Sequence, residues 1–184
     1  MTPSPEAEAP TTLLARWLRP QDYSADSRYR APARLYGRLS RWIGVPATSL
    51  GLAPRHAVTL EVPGRRSGRP RRNPVLVTTL DDVEYLVSLA GESEWVRNVR
   101  AADGRAVLHR RGARAVRLRE LPPASRAPVL AAYQAAGAAR SGEAAARLQA
   151  RYNFGLSPAP TLADFERIAN LYPVFRVEDR TRTV

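Results

Sequence analysis

Two apolar strand-like runs, the first strictly alternating, flank a short basic connection, and that arrangement limits the fold more than anything else in the chain. In HAVTLEV, Val58, Leu60 and Val62 fall on one face at a period of two, the pattern of a strand with one buried side. VLVTTL, Val75 to Leu80, supplies the second run. Between them lies PGRRSGRPRRNP, which carries Arg65, Arg66, Arg69, Arg71 and Arg72. A connection tied to strands at both ends is a turn between neighbours. Gly64 and Gly68 permit a tight reversal, and Pro70 and Pro74 stiffen its exit. Such a turn can aim several guanidiniums and backbone N–H groups at one point, as an anionic ligand requires. A hook lying in a DNA minor groove would need polar, extensible flanks, which these strands are not.

The remaining chain continues the strand pattern. YLVSLA, Tyr85 to Ala90, pairs with VLVTTL around the acidic turn at Asp81 and Asp82, residues that favour turns and carry no sign of an acid–base pair. GESEWVRNVRAADG reads as a short helix with Ser93 at its N-cap and Gly104 beyond its end. RAVLHR and RAVRLREL give two more strands. Residues 122–171 are Ala-rich and helical, with breaks at Gly142, Gly155 and Pro158. PVFRVED restores a strand, with Val174 and Arg176 on one face and Phe175 and Val177 on the other. The fold class is therefore α+β: a small antiparallel barrel of about six strands, with a helix after the third and further helices before the last.

Ahead of the barrel, residues 1–10 read as a disordered tail and residues 11–50 as a helical segment, leaving 51–184 for the barrel domain. In PARLYGRLSRWIG, Leu35, Leu39, Trp42 and Ile43 recur at helical spacing opposite Arg34, Arg38 and Arg41. That helix either packs on the core or lies on an anionic membrane surface. The first ten residues have no apolar stretch of the kind a secretory signal needs. A cytoplasmic location, with peripheral membrane contact through the helix as an option, is the expectation.

Charge narrows the partners. The net charge is +12, and every one of the 29 basic residues is arginine. Anionic partners fit this balance, although the absence of lysine beside abundant Ala and Pro also reflects coding bias. With no cysteine, disulfides, thiolate catalysis and most zinc sites are excluded. The two histidines, His56 and His109, have no metal-ligand spacing. No GxSxG, GxGxxG or P-loop pattern is present. An enzyme built this way would draw its chemistry from a cofactor.

VTLEVPGRRSGRPRRNPVLV, then YLVSLAGESEWVRNVRAADG, then YPVFRV resemble the deazaflavin-dependent nitroreductase family, small split β-barrel proteins that use coenzyme F-420 and occur chiefly in actinobacteria. The resemblance implies an oxidoreductase in which a hydride passes from the reduced deazaflavin to a quinone, an enone or a nitro compound. It places the coenzyme's phosphate and acidic tail on Arg65, Arg66, Ser67, Gly68 and Arg71. Pro74 and Val75 would line the ring, Ser88 would sit near its face, and Trp95 and Asn98 would border it from the short helix. Tyr133, Tyr152 and Tyr172 are candidates for the substrate side, and no metal is implied. The chain departs from the pattern at Glu94, whose carboxylate would oppose an anionic cofactor. On physical grounds FMN offers the loop the same phosphate. A non-catalytic carrier of deazaflavin, flavin or haem and a basic nucleic-acid-binding protein are the other readings; the oligomeric state is not legible.

Overall fold

The computed structural model describes residues 56–180; the expected tail and N-terminal helix lie outside them. Six antiparallel strands close into a barrel in the order β1-β2-β3-β6-β5-β4. These are β1, Ala57–Pro63; β2, Pro70–Leu80; β3, Val83–Val87; β4, Arg105–His109; β5, Ala113–Glu120; and β6, Val174–Asp179. Helix α1, Glu94–Ala101, follows β3. Helices α2, Ala127–Gln149, and α3, Leu162–Ile168, precede β6. Among the described residues no helix is long and apolar enough to cross a membrane.

The alternation in β1 holds: Val58, Leu60 and Val62 point into the barrel, where they meet Leu86, Leu108, Val116, Leu118 and Phe175. Val96 and Val99 of α1 join the same core, so the helix plugs one end of the barrel. On β6, Phe175 belongs to this interior while Val174 faces outward into a second core. That second core lies between the outer face of β2, β3 and β6 and the helices. In it Phe154 packs edge-on against Tyr133, Phe165 and Tyr172, with ring centroids 5.2–6.2 Å apart.

Two boundaries differ from the sequence expectation. β2 begins at Pro70 rather than Val75, because the ladder with β1 continues to Pro63↔Pro70. The prolines do not interrupt it. Val77 N–H donates to the His56 carbonyl at 2.7 Å, so by the two-residue alternation the nitrogens of Pro74 and Pro70 face the opposite edge. β3 pairs only with Val77 to Leu80 and never reaches them. The second difference is that β3 stops at Val87, short of Ala90, because Ser88 turns the chain towards α1. Between β2 and β3, Asp81 and Asp82 adopt φ of 51° and 58°, the paired left-handed conformation of a tight two-residue hairpin.

The helical region is broken where expected at Gly142 (φ 81°, ψ 167°), and α2 folds back on itself there. Gln134 Nε2 donates to the Ala146 carbonyl at 2.6 Å across the bend. Arg126 then fastens the helices to the barrel. It is 6% exposed and donates to the carbonyls of Leu121, Ala169 and Tyr172 and to Glu120 at 3.0 Å.

Candidate functional site

The arginine turn spans only Gly64 to Arg69 and closes on itself. Gly64 N–H donates to the Arg69 carbonyl at 2.9 Å, while Ser67 and Gly68 N–H both return to the Gly64 carbonyl, at 3.2 and 2.7 Å. Gly68 takes φ +65°, and a Cβ on Gly64 would crowd the Arg69 carbonyl, Ser67 Oγ and Arg71. Arg69 N–H reaches Ser67 Oγ, and Arg65 N–H reaches Asn98 Oδ1 at 3.1 Å. The expectation that loop amides point at a ligand is thereby corrected for these residues: their N–H groups are consumed in holding the turn. What the turn presents outward is its guanidiniums.

They divide into two sets. Arg65 is clasped by α1: its Nη1 donates to Glu94 Oε2 at 2.5 Å and to Asn98 Oδ1 at 3.3 Å, and its Nη2 to Glu94 Oε1 at 3.3 Å. The Arg65 hydrogen bond, ahead of the charges of Arg97 and Arg66, holds the Glu94 carboxyl below its usual pKa. Arg72 is similarly held by Glu61 at 2.7 Å. Arg66 and Arg71, by contrast, make no ion pair among the described residues, and both line a cavity of about 470 Å³. The paired Arg65, Arg72 and Glu94 line it too, with Asn73, Trp95 and Asn98 among its other walls. Glu94 is thereby committed to Arg65 and, at 3.5 Å, to Arg97, and forms no ion pair with Arg66 or Arg71.

The remaining expected site residues are distributed as follows. Asn98 is 5% exposed and ties the turn to α1. Trp95 stands at the cavity edge and packs on Phe175, ring centroids 5.4 Å apart, so it serves core and site together. Pro74 and Val75 follow Asn73 along β2, outside the cavity wall, and Val75 leans on the barrel core. Ser88 is buried; its hydroxyl donates to the Gly91 carbonyl at 2.6 Å and lies 3.1 Å from Ser93 Oγ. That contact also explains why Ser93, at the start of α1, caps nothing with its side chain. Tyr133 and Tyr172 are buried in the helical core, where Tyr172 donates to the Asn153 carbonyl at 2.8 Å; Tyr152 is half exposed. None of the three lines the cavity at the arginine turn, because α2 and α3 cover the outer face of the sheet while the turn lies at the barrel end. Asn73 was missed by sequence reasoning, although it shares its face of β2 with Arg71 and Val75 and could have been found by extending the strand alternation.

A family model described as F-420H(2)-dependent quinone reductase matches residues 44–139. Among solved structures, an F-420H(2)-dependent reductase is similar at 18% identity and a TM-score of 0.44, over 67% of this chain and 95% of that one. A conserved hypothetical protein from Mycobacterium tuberculosis is similar at 15% identity and 0.44, over 71% and 77%. A heme binding protein from Mycobacterium smegmatis is similar at 18% and 0.43, over 73% and 50%. Comparison with curated proteins gives no match.

Proposed function

The chain belongs to the F-420H(2)-dependent quinone reductase family and is an F-420-dependent oxidoreductase, and from that premise we propose that the arginine turn holds the anionic part of F-420 while a quinone is reduced beside it. The residues present fit such a group. An open cavity at the barrel end is lined by four arginines and one carboxylate, Glu94, which is ion-paired to Arg65, so that Arg66 and Arg71 face it without an ion pair of their own among the described residues. That is the observation on which the reading rests. When bound, the reduced deazaflavin supplies the hydride chemistry that this chain's own residues lack.

The protein's part is binding and orientation. Arg66 and Arg71 contact the phosphate, each charge-assisted contact contributing on the order of 1.5–3 kcal/mol. Asn98 and Glu94 act on Arg65 and so fix the turn to α1. Trp95 borders the cavity and shields one side of it from water. Quinone is the acceptor we assign, in accord with the activity in the family's description.

The test is a titration of the full chain with F-420 and, separately, with FMN, followed by tryptophan fluorescence, in which Trp95 is the reporter at the cavity. Binding of F-420 well ahead of FMN is expected. Arg66→Ala or Arg71→Ala should weaken it at least tenfold, the loss of one contact of about 1.4 kcal/mol. Unchanged affinity in both variants would remove the turn from the site. Turnover of a soluble benzoquinone with reduced F-420 then tests the acceptor.

A further inference from the structure

The other end of the barrel lies remote from the arginine turn. β1 separates the two by its full length from Ala57 to Pro63, roughly 20 Å at about 3.3 Å per residue. A cavity of about 560 Å³ opens there. Its floor is apolar, made by Val58, Val77 and Leu108 of the barrel core, and its rim is polar, with His56, Glu84, Arg110 and Arg114.

The rim charges do not cancel. Arg114 forms ion pairs with both Glu84 and Asp179, so the carboxylate that lines the cavity, Glu84, is committed to that arginine. Arg110 has no ion pair among the described residues, and its Nε is buried with no hydrogen-bond partner. A buried guanidinium N–H without an acceptor costs about 1–3 kcal/mol or more, and barrel interiors rarely tolerate one. The field at this end is positive as well: burial, then the charges of Arg140 and Arg110, hold His56 below its ordinary pKa, favouring the uncharged ring. An unpaired cation over an apolar floor, beside a neutral imidazole, matches an amphiphilic anion.

We propose that this mouth of the barrel binds a small carboxylate with an apolar body, its carboxylate on Arg110 and its hydrocarbon part on Val58, Val77 and Leu108. The site is separate from the arginine turn and takes a different ligand. Gly112 gives an independent handle, since a Cβ there meets nothing within 4 Å and a side chain would extend into open space at the mouth.

The experiment is a saturation-transfer NMR titration of the full chain with benzoate, using benzyl alcohol as the neutral probe of the same shape. Saturable binding of benzoate, and none of the alcohol, is expected. Arg110→Gln should weaken benzoate at least tenfold, Gly112→Leu should block it by occupying the mouth, and Arg66→Ala at the other end should leave it unchanged. Circular dichroism and urea midpoints confirm that each variant is folded. Absence of saturable binding, equal binding of benzyl alcohol, retention in folded Arg110→Gln or Gly112→Leu, or loss in Arg66→Ala would each overturn the proposal.

Discussion

Glu94 shows how far a residue's role depends on its partner. Read alone, a carboxylate next to Trp95 opposes an anionic ligand. In the fold it is spent on Arg65, 29 positions away, and together with Asn98 it anchors the turn. Both effects operate, and their balance is measurable. Glu94→Gln removes the negative charge from the cavity wall while Asn98 still accepts from Arg65 N–H. F-420 affinity should therefore rise, roughly two- to fivefold, the range expected for one partly exposed charge. The gain should shrink in high salt, because exposed charges are screened over about 10 Å at 0.1 M. A tenfold loss instead would mean that the clasp matters more as scaffold than as charge. The pairing itself was not legible, since nothing local in SEWVRN marks which arginine the carboxylate will find. The identity of the basic turn was legible from its two tethering strands.

At the level of elements, period-two alternation carried most of the barrel: the inward faces of β1 and β6, the hairpin at Asp81 and Asp82, and the helix after β3 all lie where the pattern puts them. The start of β2 escaped it, because Pro70 and Pro74 look like strand breakers until β3 is known to be too short to need N–H donors at those positions. The fold-back of α2 was half legible. Gly142 marks the break, but only the Gln134 to Ala146 bond shows that the helix reverses. Gly142 has φ 81° and ψ 167°, a region nearly closed to other residues. Gly142→Ala should therefore destabilise the protein by about 1–3 kcal/mol, although its Cβ would meet no atom within 4 Å. Urea unfolding checks this, and a change below 0.5 kcal/mol, roughly the scatter of ordinary surface substitutions, would show that the bend is not held by the glycine. Gly104, at the α1–β4 corner, combines strain with contact. Its φ is +75° and a Cβ would run into the Leu118 carbonyl, so Gly104→Ala should cost more than Gly142→Ala in the same assay.

Over the whole molecule, charge sets the response to pH. The net charge of +12 is carried by arginines that stay protonated, and the fold restrains their repulsion by pairing them with carboxylates. Glu61, hydrogen-bonded by Arg72, and Glu94, hydrogen-bonded by Arg65, both sit below the ordinary 4.5, and Asp164, in the capping box of α3, sits below 3.8. A depressed folded-state pKa contributes stability that is complete above the unfolded value and is lost as pH falls through the folded one. His56 acts in the same direction at higher pH: its folded pKa is below 6.5, so protonation below that value favours the unfolded chain. Stability should therefore decline in two stages, a shallow one below about pH 6.5 from His56 and a steeper one below about pH 4.5 from the carboxylates. As the carboxylates are neutralised the net charge climbs above +12 and the arginines they screened repel one another, which deepens the second stage. Urea midpoints at pH 7.5, 5.5 and 3.5 resolve the two. His56→Gln should abolish the first decline and leave the second, whereas Glu61→Gln should lower stability at pH 7.5 and flatten the second. A midpoint constant from pH 7.5 to 3.5 would mean that the carboxylate–arginine pairs contribute nothing to holding this strongly basic chain together.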